Sequence, residues 1–150
     1  MYITFPKDTI INVQKINIFR FPNCMEMHEQ VLSEKGTCSF GRFGKRVERQ
    51  PITNDSGYLL FYQHGKVFLT HVIRIEKEAV NYPGIYEDYF FKNGLYPVNY
   101  LLLDMITEID AIILSKLIYL SNRRIMSRTI SRCNNAFITG SFIEDYFIST

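Results

Sequence analysis

The sequence predicts an α+β fold: a mixed, strongly curved sheet or pseudo-barrel with two or three flanking helices. Three observations lead there. Runs of β-branched and aromatic residues recur along the chain, and two of them meet at a clear hairpin turn. Apolar residues at helical spacing occupy only a few short windows. Strands do not alternate regularly with crossover helices, which argues against a doubly wound parallel sheet. The length of 150 residues, with 47% hydrophobic and 21% charged residues, fits a single domain, 1–150, that buries a core without staples.

Residues 9–19 are β-branched with partial alternation and read as a strand that Pro22 ends. Asn23 followed by Glu26 resembles a capping box. With Met27, Val31 and Leu32 as an apolar face and Gly36 as a stop, it predicts a helix over 24–35. Residues 36–56, punctuated by Gly36, Gly41, Gly44 and Pro51, read as a long loop or ragged strand. The apolar runs 57–63 and 67–75 flank Gln63-His64-Gly65-Lys66, a tight hairpin of two strands central enough to be covered on both faces. Residues 80–97 read as an irregular excursion with a helical turn near 85–92. A strand is expected over 97–107, then a helix within 108–121 from the spacing of Ile109, Ile112, Ile113, Leu117 and Leu120. Residues 125–132 alternate as a strand, 136–139 pair as another, and Ser141-Phe-Ile-Glu144 starts a short last helix. No internal repeat or low-complexity tract stands out.

This order resembles the PUA-like superfamily, and within it the EVE-type domains. Gly57-Tyr-Leu-Leu-Phe-Tyr-Gln-His-Gly-Lys-Val-Phe-Leu-Thr-His-Val is similar to the family's central hairpin. Leu95-Tyr-Pro-Val-Asn-Tyr is similar to the strand entered through a proline, and Phe137-Ile-Thr-Gly-Ser-Phe-Ile-Glu-Asp-Tyr-Phe to the closing strand and helix. The chain has none of the tryptophans common in EVE-type domains. The resemblance implies a pseudo-barrel with a pocket for a nucleobase or a nucleic-acid end.

Charge is segregated along the chain although the net charge is only +2. Residues 76–110 carry seven acids and two lysines. Residues 111–143 carry Lys116, Arg123, Arg124, Arg128 and Arg132 and no acid, and residues 36–54 carry four basic residues and one acid. The first basic segment, Phe40-Gly-Arg-Phe-Gly-Lys-Arg with Arg49 beyond it, interleaves cations with rings, as recognition of single strands or flipped bases would. There Arg42, Lys45, Arg46 and Arg49 would hold phosphates, and Phe43, Tyr58 and Tyr62 would stack on bases. The competing reading is a solvated loop whose phenylalanines tuck into the core. In the second segment, Arg128 and Arg132 on a strand would share one face and track phosphates; ordinary pairing with the acidic stretch competes.

His64 and His71 lack a third ligand at a telling spacing, so no metal and no cofactor is expected. No nucleophile elbow, phosphate-cradling loop or dinucleotide fingerprint is present, which leans the chain away from an enzyme. The three cysteines, odd in number and widely spaced, fit free thiols and a cytoplasmic location. No apolar run is long enough to span a bilayer, so no membrane partner is expected. The sequence thus leads to a non-catalytic nucleic-acid-binding module, DNA or RNA, which extends to recognition of a modified or flipped base. The alternative is a protein–protein interaction module, such as a small phage or host-defence factor, using the tyrosine-rich segment 82–100. A small hydrolase acting on a nucleoside rests on superfamily analogy alone.

Overall fold

The computed structural model describes residues 2–16, 21–44, 57–133 and 136–149. Nine strands and one α-helix are formed among them. The strands are β1 (Tyr2–Phe5), β2 (Ile10–Lys15), β3 (Cys38–Arg42), β4 (Tyr58–Gln63), β5 (Lys66–Glu76), β6 (Asn99–Ile109), β7 (Leu117–Tyr119), β8 (Ala136–Phe142) and β9 (Tyr146–Ser149). The helix is α1 (Cys24–Lys35). Seven strands belong to a mixed sheet, and β1 with β9 makes a two-stranded ribbon. Among the described strands, β3 and β7 have one sheet neighbour each, so the sheet has two edges. The fold is therefore α+β with a large mixed sheet and few helices.

The chain divides into two compact units. One holds Met1–Pro22, Ile52–Leu69 and Thr107–Thr150; the other holds Asn23–Pro51 and Thr70–Ile106.

In the first unit, β2 runs parallel to β4, with Val13 opposite Leu60, and antiparallel to β8, with Val13 opposite Ile138. β8 in turn pairs antiparallel with β7. β4 has a sheet neighbour on each side, and Leu59, Leu60 and Phe61, whose side chains alternate between its two faces, are all fully buried, so both faces are covered, as an apolar strand requires. The turn from β4 to β5 places His64 at φ 46° and Gly65 at φ 81°. Two successive positive φ values suit the right-handed twist of a hairpin, and glycine takes its share without a steric penalty. In the ribbon, Ile3, Phe5 and Ile148 face inward while Tyr2 and Phe147 face out. Phe5 lies flat on Phe142 at 5.0 Å and edge-on to Tyr58 at 5.7 Å.

In the second unit, β3 pairs antiparallel with β6, with Phe40 opposite Leu101. The other edge of β3 is covered by residues 80–81: Ser39 N–H donates to the Asn81 carbonyl at 2.6 Å, and Val80 N–H to Ser39 Oγ at 2.9 Å. α1 occupies the expected residues and ends at Gly36, whose N–H reaches the Leu32 carbonyl. Its buried face is Met25 and His28 rather than Met27, and the Asn23 side chain makes no capping bond. Residues 86–93 form a π-helical turn (Tyr86–Phe90) and then a 3-10 turn (Phe91–Asn93), inside the expected excursion.

One local expectation is narrowed and three are corrected. Of the stretch read as a long loop or ragged strand over 36–56, Cys38–Arg42 is the regular, buried strand β3; residues 45–56 lie outside the described residues. In place of a helix over 108–121, β6 runs to Ile109, and Asp110 caps a 3-10 helix (Ala111–Lys116) by accepting from Ile112 N–H at 2.9 Å. β7 follows. A continuous helix would have set Ile112 and Leu120 on its apolar face, yet both are exposed. In place of a strand over 125–132, two 3-10 turns form, Met126–Arg128 and Ile130–Arg132. The last segment is strand, not helix: Ser141 is spent in β8, and β9 finds β1 as its partner. The number of α-helices among the described residues is thus one, not two or three. None is long and apolar enough to cross a membrane.

Candidate nucleic-acid interface

The site begins at β7. Ile118 bridges antiparallel to Ile125, Tyr119 N–H donates to the Arg124 carbonyl at 3.0 Å, and Arg123 N–H donates to the Tyr119 carbonyl at 2.9 Å. These bonds close a turn over 120–123 in which Arg123 adopts φ 61°. Asn122 Oδ1 accepts from Arg124 N–H at 2.9 Å, the side-chain-to-backbone bond that favours asparagine in turns. Leu120 through Arg124 are all exposed.

The chain then enters the two 3-10 turns. Each buries its first residue, Met126 at 0% and Ile130 at 1% exposure, and turns its arginine, Arg128 or Arg132, to the outside. Gly140 of β8 makes room for the first anchor. A Cβ there would stand 2.8 Å from Met126 Cε and 3.4 Å from the Ile118 carbonyl oxygen. Tyr119 OH accepts from Thr129 Oγ1 at 2.8 Å and ties the linking residue to β7. Lys15, at the end of β2, donates from Nζ to the Ser131 carbonyl at 2.9 Å and to the Cys133 carbonyl. The same ammonium stands 5.8 Å from the centroid of the Tyr62 ring. Tyr62 and the 128–132 segment, far apart in sequence, thus meet at Lys15.

None of Arg123, Arg124, Arg128 and Arg132 joins an ion pair among the described residues. The pairs formed there are His71–Asp104 at 2.7 Å, Arg74–Glu76, and Lys116–Glu144 at 2.6 Å. Pairing with the acidic stretch therefore does not consume these four charges.

The other expected residues are placed differently. Arg42 is buried, with Nε donating to Asn99 Oδ1 at 2.9 Å, and burial lowers the pKa of its guanidinium. Both faces of β3 are covered, so every one of its residues is buried and the arginine is buried with its strand. Phe43 is partly exposed and leans on Phe90 at 4.8 Å. Tyr62 is buried and Tyr58 half-buried against Phe5, which limits both as stacking surface. Lys45, Arg46 and Arg49 lie outside the described residues. Arg42 and Phe43 fall in one unit, and Tyr58, Tyr62, Arg128 and Arg132 in the other.

Two features escaped sequence reading. The first is the serine-arginine duplication Met126-Ser-Arg and Ile130-Ser-Arg, too short to register as a repeat but legible in hindsight as one. The second is His28, buried in the second unit. Its Nδ1 lies 2.7 Å from the Cys24 carbonyl and its Nε2 lies 2.8 Å from Tyr86 OH. Tyr86 OH also accepts from Gly41 N–H at 2.7 Å. A carbonyl can only accept, so Nδ1 carries the proton and Tyr86 donates to Nε2. Burial pushes the pKa of His28 down to about 4, partly offset by the bond to Cys24. Burial also raises the Cys24 and Cys38 thiols to about 12. No cluster of three metal-ligating side chains exists among the described residues. Comparison with family models, with curated proteins and with solved structures finds no match to this chain.

Proposed function

We propose that this chain is a cytoplasmic, non-catalytic nucleic-acid-binding module whose contact surface is the 120–132 segment of its first unit. One observation carries the reading: four exposed arginines stand within ten residues, with no acid in the segment and no ion pair among the described residues. Guanidinium groups held outward on anchored turns are suited to phosphate, which they meet in a fixed fork geometry. Phe43, with Lys45, Arg46 and Arg49 in the segment beyond it, extends the proposal to an unpaired or modified base. The strongly curved, PUA-like form of the sheet belongs to the same proposal.

The test is fluorescence anisotropy with labelled single- and double-stranded DNA and RNA over a salt series. Four neutralised phosphates give a slope of log K against log salt of about −3 for single strands and about −3.6 for duplex DNA. Replacing all four arginines with alanine should bring the slope near zero. Binding that stays in the millimolar range without salt dependence in the unaltered protein would sink the proposal.

A second reading is favoured by a separate observation in the other unit. Tyr96 is 65% and Leu95 45% exposed, and the Tyr96 ring lies flat on Phe91 at 5.3 Å. Exposed rings of this kind suit a protein partner docking on the 82–100 segment. Co-purification that survives nuclease treatment and is lost in Tyr96→Ala would support it; a complex released by nuclease would refute it.

A further inference from the structure

The two turns that present Arg128 and Arg132 are copies of one device. Arg128 N–H donates to the Ile125 carbonyl at 3.3 Å and Thr129 N–H to the Met126 carbonyl at 3.2 Å. Four residues on, Arg132 N–H donates to the Thr129 carbonyl at 3.0 Å and Cys133 N–H to the Ile130 carbonyl at 3.2 Å. The residues repeat with the bonds: a buried apolar anchor, an exposed serine, an exposed arginine. Each turn therefore exposes one hydroxyl and one guanidinium from consecutive residues. Among the described residues, neither Ser127 Oγ nor Ser131 Oγ has a hydrogen-bond partner, whereas Ser115 Oγ donates to the Ile112 carbonyl.

We infer that each serine-arginine pair holds one phosphate, and that the tandem turns hold two neighbouring phosphates of a single strand. The inference rests on the nucleic-acid-binding reading and names its ligand: the phosphodiester backbone itself, taken without reference to sequence. Serine hydroxyls and arginines are donors that position a backbone, and neither turn offers a ring to a base. The one aromatic residue between 117 and 133 is Tyr119, which is buried with its hydroxyl accepting from Thr129. Lys15 acts here as a positioning residue. By fixing the Ser131 and Cys133 carbonyls from β2, it sets the second turn in register with the first.

A neutral hydroxyl and a charged guanidinium leave different marks on a salt titration, and that separates the roles. The probe is a labelled sixteen-residue oligothymidine, measured by anisotropy at several salt concentrations. Ser127→Ala and Ser131→Ala should each weaken binding about threefold to tenfold with the salt slope unchanged. Arg128→Ala and Arg132→Ala should each flatten the slope by about 0.7. Ser127→Ala with Arg128→Ala should lose less than the product of the single effects, because both act on one phosphate. Ser127→Ala with Arg132→Ala should multiply. A mixed-sequence oligonucleotide should bind as oligothymidine does. If the unaltered protein shows the expected slope but the serine variants bind as it does, or both double variants simply multiply, the tandem clamp is wrong and the broader reading survives. If the unaltered protein shows no slope, the broader reading fails and takes the clamp with it. All four side chains are exposed, and unchanged thermal melting confirms that each variant is folded.

Discussion

His28 shows how far one covered side chain can set the response of the protein to acid. The imidazole is held neutral between the Cys24 carbonyl and the Tyr86 hydroxyl, and Tyr86 in turn takes the Gly41 N–H. A second proton on Nε2 would oppose the hydroxyl hydrogen that points at it. In the folded chain the pKa is about 4, below the ordinary 6.5. The unfolded chain therefore binds a proton more readily throughout that window, and stability rises with pH across it. The contribution is complete above about pH 6.5 and is lost as pH falls towards 4, to the extent of about 3 kcal/mol. Urea unfolding at pH 7, 5.5 and 4.5 should follow this fall, and His28→Gln should flatten it. Equal pH dependence in the two proteins would remove His28 as the cause. No local pattern announced this role. Histidine on a helix is unremarkable until the fold brings Tyr86 against it from fifty-eight residues away.

At the scale of elements, the 3-10 turns of residues 126–132 exist because something outside them accepts their anchors. Alternating apolar and polar residues suit a strand equally well, and nothing local separates the two outcomes. The decision lies with Gly140, Tyr119 and Lys15. Gly140→Ala would push a Cβ within 2.8 Å of Met126 Cε and against the Ile118 carbonyl. The methionine end can yield but the backbone oxygen yields less, so a loss of about 1–3 kcal/mol is expected by urea unfolding. Met126→Ala should cost less in the Gly140→Ala background than alone, since the clash is relieved. Strictly additive losses would show that the two residues do not share the contact. The helix expected over 108–121 fails for a related reason. Asp110 caps a short 3-10 helix, and β8 then claims Leu117, Ile118 and Tyr119 as a strand.

Across the whole molecule, several of the ladders join segments that are remote in sequence. β1 pairs with β9, β2 with β8, and β3 with β6. Each compact unit is assembled from separate stretches of chain, three for one and two for the other. Loop closure must precede most of the contacts, so folding draws little support from local structure beyond α1 and the β4–β5 hairpin. A fragment ending at Leu69 would lack β8 for β2 and β6 for β3. It should show no cooperative thermal transition by circular dichroism. A fragment that melts cooperatively would mean the local elements carry more of the stability than the ladders do.

The sequence by itself determined what depends on neighbours within a few residues. The hairpin followed from Gly65, the extent of the helix over 24–35 from its glycine stop, though not which face it buries, and the arginine-rich, acid-free stretch was plain from composition. Only the tertiary structure decided that Arg42 turns inward with β3, that Ser141–Ser149 finishes as strands, and that Arg128 and Arg132 ride on matched turns. Those outcomes depend on partners such as Lys15, which reaches Ser131 across 116 residues, and Asn99, which holds Arg42 across 57. A short segment whose intrinsic preferences are nearly balanced takes the conformation that its distant neighbours can bury and hydrogen-bond, and that choice is made only when the chain is folded.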